Sequence, residues 1–161
     1  MRRPVLSALT LIAATLAAAP VLAEEPAHKF ELAGLEVLHP WTPATEDDTA
    51  LVYMELHNEG ADEILLTGAE SPQAASAALV GIVLKDGAPA PEVLPEVAIA
   101  PDTHLDLEPN VLAFQLSGLT GPLAEGSHFD LTLQTSVGPL EIEVEVEEAG
   151  ASQHGHAGHN H

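Results

Sequence analysis

Residues 140–147, LEIEVEVE, decide the fold class because they alternate strictly between apolar and acidic side chains. Ile142, Val144 and Val146 would share one face of such a segment, and the glutamates would share the other. A repeat of two residues is typical of a half-buried β-strand, whose successive side chains point to opposite faces of a sheet. The stretch therefore predicts a strand with one face on a core and the other in water.

The same period of two recurs upstream and predicts further short strands. They fall at residues 30–38 (interrupted at Ala33-Gly34), 51–57, 63–69, 77–84, 104–107, 111–116 and 128–135. Met54 lies on the apolar face of its strand, which marks it as a core residue. Asp86-Gly87 is a turn signal, and five prolines between residues 85 and 110 argue against a long helix there. A single helical turn at residues 74–78 remains an alternative to a strand there. The whole pattern predicts an all-β, antiparallel β-sandwich.

The first residues have the features of a secretory signal peptide. Arg2 and Arg3 precede an apolar run over residues 5–19, and small residues up to Ala23 offer a cleavage site. The run is short and alanine-rich for a membrane span, so an uncleaved anchor is the less favoured alternative. We expect residues 1–23 to be removed and the exported chain not to insert into a membrane.

Charge and cysteine content narrow the functional classes. Beyond residue 23, Lys29 and Lys85 are the only fixed cations against 25 carboxylates, and the chain has no cysteine. A polyanion of this kind is not expected to bind nucleic acid, and its fold must be held without disulfides. We expect one domain over residues 24–148, followed by a disordered tail over residues 149–161, which contains no large apolar residue.

The tail contains the densest group of metal-ligating atoms in the sequence. The imidazoles of His154, His156, His159 and His161 are separated by small residues, so several rings could reach one ion. We expect weak, exchangeable binding of Cu(II), Zn(II) or Ni(II) that declines below about pH 6.5, because bound imidazoles must be neutral. The alternative is a solvated tail without function. His28 is a second candidate, since cleavage after Ala27 would let its amine and ring clamp copper together.

Several ordered segments resemble the periplasmic copper chaperone family PCu(A)C. They are GLEV at residues 34–37, HPWTPAT at 39–45, YMELHNEG at 53–60, KDG at 85–87, LEP at 107–109, GL at 118–119 and LAEG at 123–126. The resemblance covers about residues 29–147. It implies a Greek-key, cupredoxin-like (Ig-like) β-sandwich in the periplasm that delivers copper, with a respiratory oxidase assembly protein as a partner.

The resemblance also implies a Cu(I) site with the pattern H-x10-M-x21-H-x-M. Aligned on Lys85-Asp86-Gly87 and on Gly118-Leu119, its four positions fall at Val80, Pro91, Ala113 and Gln115. None of these side chains is a soft ligand, so we expect the usual Cu(I) site to be missing. The imidazole tail would then favour Cu(II) over Cu(I). Whether His28, His39 or His57 forms a replacement site stays open, and His104 and His128 are interpreted as strand-start residues.

These observations predict a copper-binding, chaperone-like protein that captures metal on its tail and passes it on by ligand exchange. Two alternatives remain: a metal-independent interaction module with a degenerate copper site, and a zinc or nickel buffering protein. An enzyme is not expected, because the sequence has no nucleophile elbow, no H-E-x-x-H motif and no glycine-rich phosphate loop.

Overall fold

The computed structural model describes residues 29–152. Its regular secondary structure consists of β-strands, with no helix in that range. The eleven strands are β1 (Lys29–Leu32), β2 (Leu35–Pro43), β3 (Thr49–Asn58), β4 (Ile64–Glu70), β5 (Ala74–Lys85), β6 (Ala88–Val93), β7 (Val97–Ile99), β8 (Thr103–Leu107), β9 (Leu112–Leu119), β10 (His128–Thr135) and β11 (Gly138–Glu147). The predicted all-β class is confirmed.

The strands form one continuous hydrogen-bonded path that folds over a single core. Its order is β6-β5-β9-β3-β2-β11-β10-β4-β7, with β1 also paired to β2 and β8 also paired to β3. Every pair is antiparallel except β11 with β2, which is parallel. Phe114 and Leu116 of β9 belong to the same buried cluster as Leu131 of β10 and Ile142 of β11. Side chains from the two ends of the path therefore meet in one sandwich core.

The alternation in the sequence coincides with burial in the structure. Ile142, Val144 and Val146 of β11 are buried, and the glutamates between them face outward. In β3, Met54 is only 2% exposed, which places its thioether in the core as predicted. The period of two was sufficient to predict which side chains of β3 and β11 are buried, because each of these strands faces the core on one side only.

Residues 88–99 form two strands, β6 and β7, that the sequence did not predict. Asp86 and Gly87 both have positive φ angles, 53° and 81°, which is the geometry of a type I′ hairpin turn between β5 and β6. Pro89 and Pro91 then lie in β6, which has a neighbour on one side only. An edge strand tolerates proline because a missing N–H facing away from the partner breaks no ladder hydrogen bond.

Two local expectations were wrong. Residues 74–78, for which a single helical turn was considered possible, belong to β5 and pair with β9. The predicted strand over residues 30–38 would end just before His39, but β2 continues through His39 to Pro43, with a register shift between Leu38 and Trp41. The φ angle of 47° at His39 identifies a β-bulge, a device that redirects a side chain without ending the strand.

The predicted signal peptide (1–23), His28 and the four tail histidines lie outside the described residues. The described part of the chain continues past residue 148 to Ser152, and Ala151 packs against Trp41 and its neighbours. None of the described residues forms a helix with the length and apolar character needed to cross a bilayer.

Candidate metal-binding surface

The outer face of strands β1, β2, β3 and β8 carries a row of ionisable side chains. Glu31 pairs with Glu36, Glu36 pairs with His57, and His57 pairs with His104, each directly across neighbouring strands. Directly opposed residues project from the same face of an antiparallel sheet and lie close enough to interact. The two imidazole centroids are 5.9 Å apart, with the rings tilted by 58°. We call His57 and His104 the cross-strand histidine pair.

Carboxylates flank this histidine pair on both sides. Glu36 Oε1 lies 4.0 Å from His57 Nδ1, and Asp106 Oδ2 lies 3.9 Å from His104 Nε2. Both distances are too long for hydrogen bonds, so the carboxylates act on the rings through their charge. They would favour a cation bound between or beside the rings.

Lys29 occupies the other side of Glu36. Its Nζ lies 2.7 Å from Glu31 Oε1 and 2.5 Å from Glu36 Oε2. Hydrogen bonds to Glu31 and then to Glu36 raise the pKa of Lys29 above its ordinary value, so this ammonium keeps its charge at all physiological pH values. Glu36 is therefore engaged by Lys29 through one carboxylate oxygen and faces His57 with the other.

An open cavity of about 510 Å³ lies over this face. Three imidazoles line it, those of His39, His57 and His104, together with the indole of Trp41. The bulge in β2 brings His39 into this cavity, where its Nδ1 is 3.9 Å from Glu55 Oε1. Ser152, the last described residue, also lines the cavity. The described part of the chain thus ends at the rim of the histidine-lined cavity.

Buried hydrogen bonds hold the end of β3 that carries His57. The Asn58 side-chain amide donates to the carbonyl oxygens of Asp62, at 2.8 Å, and Ile99, at 2.9 Å. Asn58 itself is 1% exposed. A buried amide with two partners gives the strand end a defined position, so the backbone under His57 is well constrained.

The four positions that the PCu(A)C resemblance assigns to copper lie together farther along the same outer face, where Gln115 of β9 pairs with Leu51 of β3. Val80 pairs with Ala113 across β5 and β9, and Pro91 pairs with Ile82, which is two residues from Val80. Gln115 is two residues from Ala113 on β9. All four side-chain positions therefore share one face, as one ligand set would require.

Apolar packing closes the Val80–Ala113 part of this face, whereas Pro91 and Gln115 line an open cavity of about 360 Å³. Val80 and Ala113 are each 1% exposed and form a small cluster with Trp41 and Tyr53. The Trp41 and Tyr53 ring centroids lie 4.9 Å apart at 43°. Burial raises the pKa of the Tyr53 phenol because the charged phenolate is poorly solvated there.

Within residues 29–152, no three His, Cys, Asp or Glu side chains converge closely enough to hold a metal ion by themselves. The structure brings together His57, which the sequence left as an open candidate, and His104, which the sequence interpreted as a strand-start residue. His128 lies apart from this pair, on β10 opposite Glu145. The tail histidines and His28 lie beyond the described range, so their role stays a prediction.

Sequence reasoning missed the His57–His104 pair because the two residues are far apart in the chain. Each lies in a predicted strand, and His57 lies on its outward face. That signal indicates two surface histidines, but it does not indicate that β3 and β8 are neighbours or that their register sets the two rings opposite each other. Strand pairing is a tertiary property.

Solved structures that are similar to this chain include PCuAC domains. The copper-bound PCuAC domain from PmoF2 aligns with a TM-score of 0.64 at 19% identity, over 75% of this chain and 98% of that domain. The solution structure of apo-DR1885 from Deinococcus radiodurans aligns with a TM-score of 0.58 at 24% identity, over 91% of this chain and 100% of that one. CuI-DR1885 from the same organism aligns with a TM-score of 0.55 at 25% identity, over 71% of this chain and 80% of that one. The chain therefore has the fold of these PCuAC domains, which confirms the resemblance at the level of the fold.

The sequence profile of a family described as "Putative lipoprotein LpqE-like" matches residues 35–146. The chain belongs to this LpqE-like family. A comparison with curated protein sequences gave no significant match.

Proposed function

We propose that this protein is an exported, non-catalytic copper-binding protein that acts like a chaperone, capturing the ion on its C-terminal histidine tail and passing it on by ligand exchange. The observation that carries the proposal is the fold, since the similar solved structures include a copper-bound PCuAC domain and CuI-DR1885. The tail supplies four imidazoles, at His154, His156, His159 and His161. Imidazole ligands suit Cu(II), and they also suit Zn(II).

The packing of the domain supports the tail rather than the usual site as the point of capture. Val80 and Ala113 are buried apolar residues at two of the four positions assigned by resemblance. Met54, the only sulfur beyond the start methionine, is 2% exposed in the core. A Cu(I) site rich in thioether ligands is therefore not expected, and a harder imidazole site favours Cu(II) over Cu(I).

The proposed compartment is the periplasm, and the proposed partner is a respiratory oxidase assembly protein. The apolar run that follows Arg2 and Arg3 supports export, as does the description of the LpqE-like family as lipoproteins. The strongly acidic surface leaves cationic partners and metal ions as the species attracted at long range.

Equilibrium titration with Cu(II) tests the tail as the site of capture. In the chain starting at Glu24, replacing His154, His156, His159 and His161 together by Gln should weaken Cu(II) binding at least tenfold, because four neutral imidazoles are lost. Met54→Leu is the matched control and should leave the affinity unchanged, since this swap conserves core volume.

Equal Cu(II) affinity in the wild type and the tail variant would exclude the tail as the site. Parallel titrations with Zn(II) and Ni(II) decide between copper handling and zinc or nickel buffering, because imidazole accepts all three ions. If none of the three ions binds at micromolar concentration, the metal-independent interaction module becomes the better interpretation, which the closed Val80–Ala113 face also favours.

A further inference from the structure

We propose that the cavity between β3 and the β5–β6 hairpin is a binding site for a small, neutral, mostly apolar molecule that carries a hydrogen-bond acceptor. The inference goes beyond the proposed copper function and does not depend on it, because no histidine lines this cavity among the described residues. The volume of about 360 Å³ lies near the lower end of the roughly 300–1,000 Å³ that is typical of small-molecule sites. This size favours a ligand of one or two rings or a short acyl chain.

The lining of this cavity is mostly apolar and uncharged. Leu51 of β3 lies directly across from Gln115 of β9, and both line the cavity. Ile82 of β5 and Pro91 of β6 form a second directly opposed pair in the lining. Within residues 29–152, none of the side chains that line the cavity is charged, although the chain as a whole is strongly acidic. An uncharged lining favours a neutral ligand, because a charge taken out of water needs a partner of opposite sign.

Tyr53 supplies a polar group that is left without a partner. The residue lines the cavity and is 6% exposed, and its hydroxyl makes no hydrogen bond to any other residue in the range 29–152. Buried polar groups normally have a partner, because burial without one costs free energy. A ligand seated in the cavity can provide the missing acceptor, so the Tyr53 hydroxyl would orient the ligand by donating to it.

The protonation state of Tyr53 suits this role. Burial raises the pKa of the phenol, so the hydroxyl keeps its proton at neutral pH. A protonated phenol donates a hydrogen bond, whereas a phenolate would be needed to bind a metal ion well. The cavity is therefore suited to an organic acceptor such as a ketone or an ester.

Backbone hydrogen bonds hold one wall of the cavity in place. Ala44 and Thr45 belong to the lining. The Ala44 N–H donates to the Glu147 carbonyl at 2.8 Å. Thr45 and Leu123 exchange two backbone hydrogen bonds, of 3.1 and 2.9 Å. A preformed wall lowers the entropy that is lost when a ligand binds.

Two macromolecular occupants fit this cavity less well. β6 has a neighbour on one side only, but Pro89 and Pro91 have no N–H, so an added strand would find few donors along that edge. A second copy of the chain would bring together two molecules that each have a formal net charge of −21. A small neutral molecule meets neither obstacle.

Fluorescence titration with Prodan tests this site in the chain starting at Glu24. Prodan is a neutral naphthalene derivative with one ketone, and its emission shifts to the blue in apolar surroundings. N-Phenyl-1-naphthylamine is the matched probe, since it is also neutral and apolar but has no carbonyl group. We expect saturable binding of one Prodan molecule per chain.

Pro91→Glu and its matched control Pro89→Glu test the position of the site. Both prolines are exposed and lie on the same edge strand, but only Pro91 lines the cavity. Pro91→Glu should weaken Prodan binding by about fivefold or more, because the apolar ligand would then cover a carboxylate. Pro89→Glu adds the same charge outside the cavity and should leave the affinity unchanged. Circular dichroism confirms that each variant is folded.

Tyr53→Phe tests the hydrogen bond, because it keeps the ring and removes the hydroxyl. Prodan affinity should fall by about three- to tenfold, which corresponds to the loss of one hydrogen bond. The affinity for N-phenyl-1-naphthylamine should stay unchanged. Equal losses for the two probes, or no loss for Prodan, would show that the hydroxyl does not recognise an acceptor.

Three further outcomes would overturn the site. The first is the absence of saturable Prodan binding to the wild type up to the solubility limit of the probe, and the second is equal affinity in Pro91→Glu and Pro89→Glu. The third is a wild-type dimer in sedimentation velocity that Pro91→Glu dissociates, because a second copy would then cover the cavity. None of these outcomes affects the proposed copper function, which the Cu(II) titration tests separately.

Discussion

At the scale of single residues, Tyr53 and Trp41 determine what one face of the domain can do. Their rings are in contact at 4.9 Å and pack with Val80 and Ala113, two of the positions where the PCu(A)C resemblance implies copper ligands. An apolar cluster cannot replace a metal's water shell, so the part of the face formed by Val80 and Ala113 stabilises the fold instead of binding an ion. Any metal chemistry must then come from other side chains.

Tyr53 offers a direct test of this packing, because it is the only tyrosine in the chain. Burial raises the pKa of its phenol above the ordinary value of 10.0. Spectrophotometric titration of the folded protein should therefore give an ionisation midpoint above that value. In the unfolded chain the phenol ionises near its ordinary pKa, so the free energy of unfolding should fall as pH rises beyond about 10.

Tyr53→Phe is the control for the alkaline titration. It removes the ionisable group but keeps the ring, so the part of the alkaline loss of stability that is due to Tyr53 should disappear. A midpoint at or below the ordinary phenol pKa in the wild type would show that the ring is solvated and that the cluster is not closed.

At the scale of elements, the β5–β6 hairpin shows where prediction from sequence succeeded and where it failed. The Asp86-Gly87 turn was predicted from residue type and has the positive φ angles that such a turn needs. The strand after it was missed, because Pro89 and Pro91 argue against a strand unless it lies at an edge. Whether a strand is at an edge depends on the order of the sheet, which no local pattern contains.

Gly87→Ala tests the turn. The φ angle at Gly87 is 81°, and a Cβ there would meet no atom within 4 Å, so the cost is conformational and not a clash. We expect a loss of about 1–2 kcal/mol in the free energy of unfolding, measured by chemical denaturation.

The matched control for this turn is Gly68→Ala in β4, where φ is not positive and a Cβ would also meet nothing within 4 Å. This substitution should be neutral or stabilising by about 0.5 kcal/mol, because alanine lowers the entropy of the unfolded chain. Equal losses at the two glycines would mean that the turn does not require glycine.

At the scale of the whole molecule, the excess of acidic side chains dominates the electrostatics. The full chain has a formal net charge of −21. Lys29 lies against two carboxylates, and Lys85 Nζ lies 3.8 Å from Glu92, so each of these lysines is paired with nearby carboxylates. The outward glutamates of β11 repel one another over distances that low salt does not screen.

Added salt should therefore stabilise the domain. Raising NaCl from about 10 mM to about 150 mM shortens the Debye length from roughly 30 Å to 8 Å and weakens the like-charge repulsion. We expect the melting temperature to rise by a few degrees, on the order of 1 kcal/mol for a domain of this size. Choline chloride at equal ionic strength should act similarly, and a melting temperature that falls or stays constant would contradict the argument.

The sequence by itself determined the all-β class, most strand positions, the core face of β3 and β11, and the acidic surface, because alternation and composition are local properties. It also indicated the tail as a source of imidazole ligands. Only the tertiary structure decided that His57 lies opposite His104, and that the β2 bulge brings His39 to the same cavity. The physical reason is that strand order and register depend on packing between distant segments, and a metal site depends on the resulting distances between side chains.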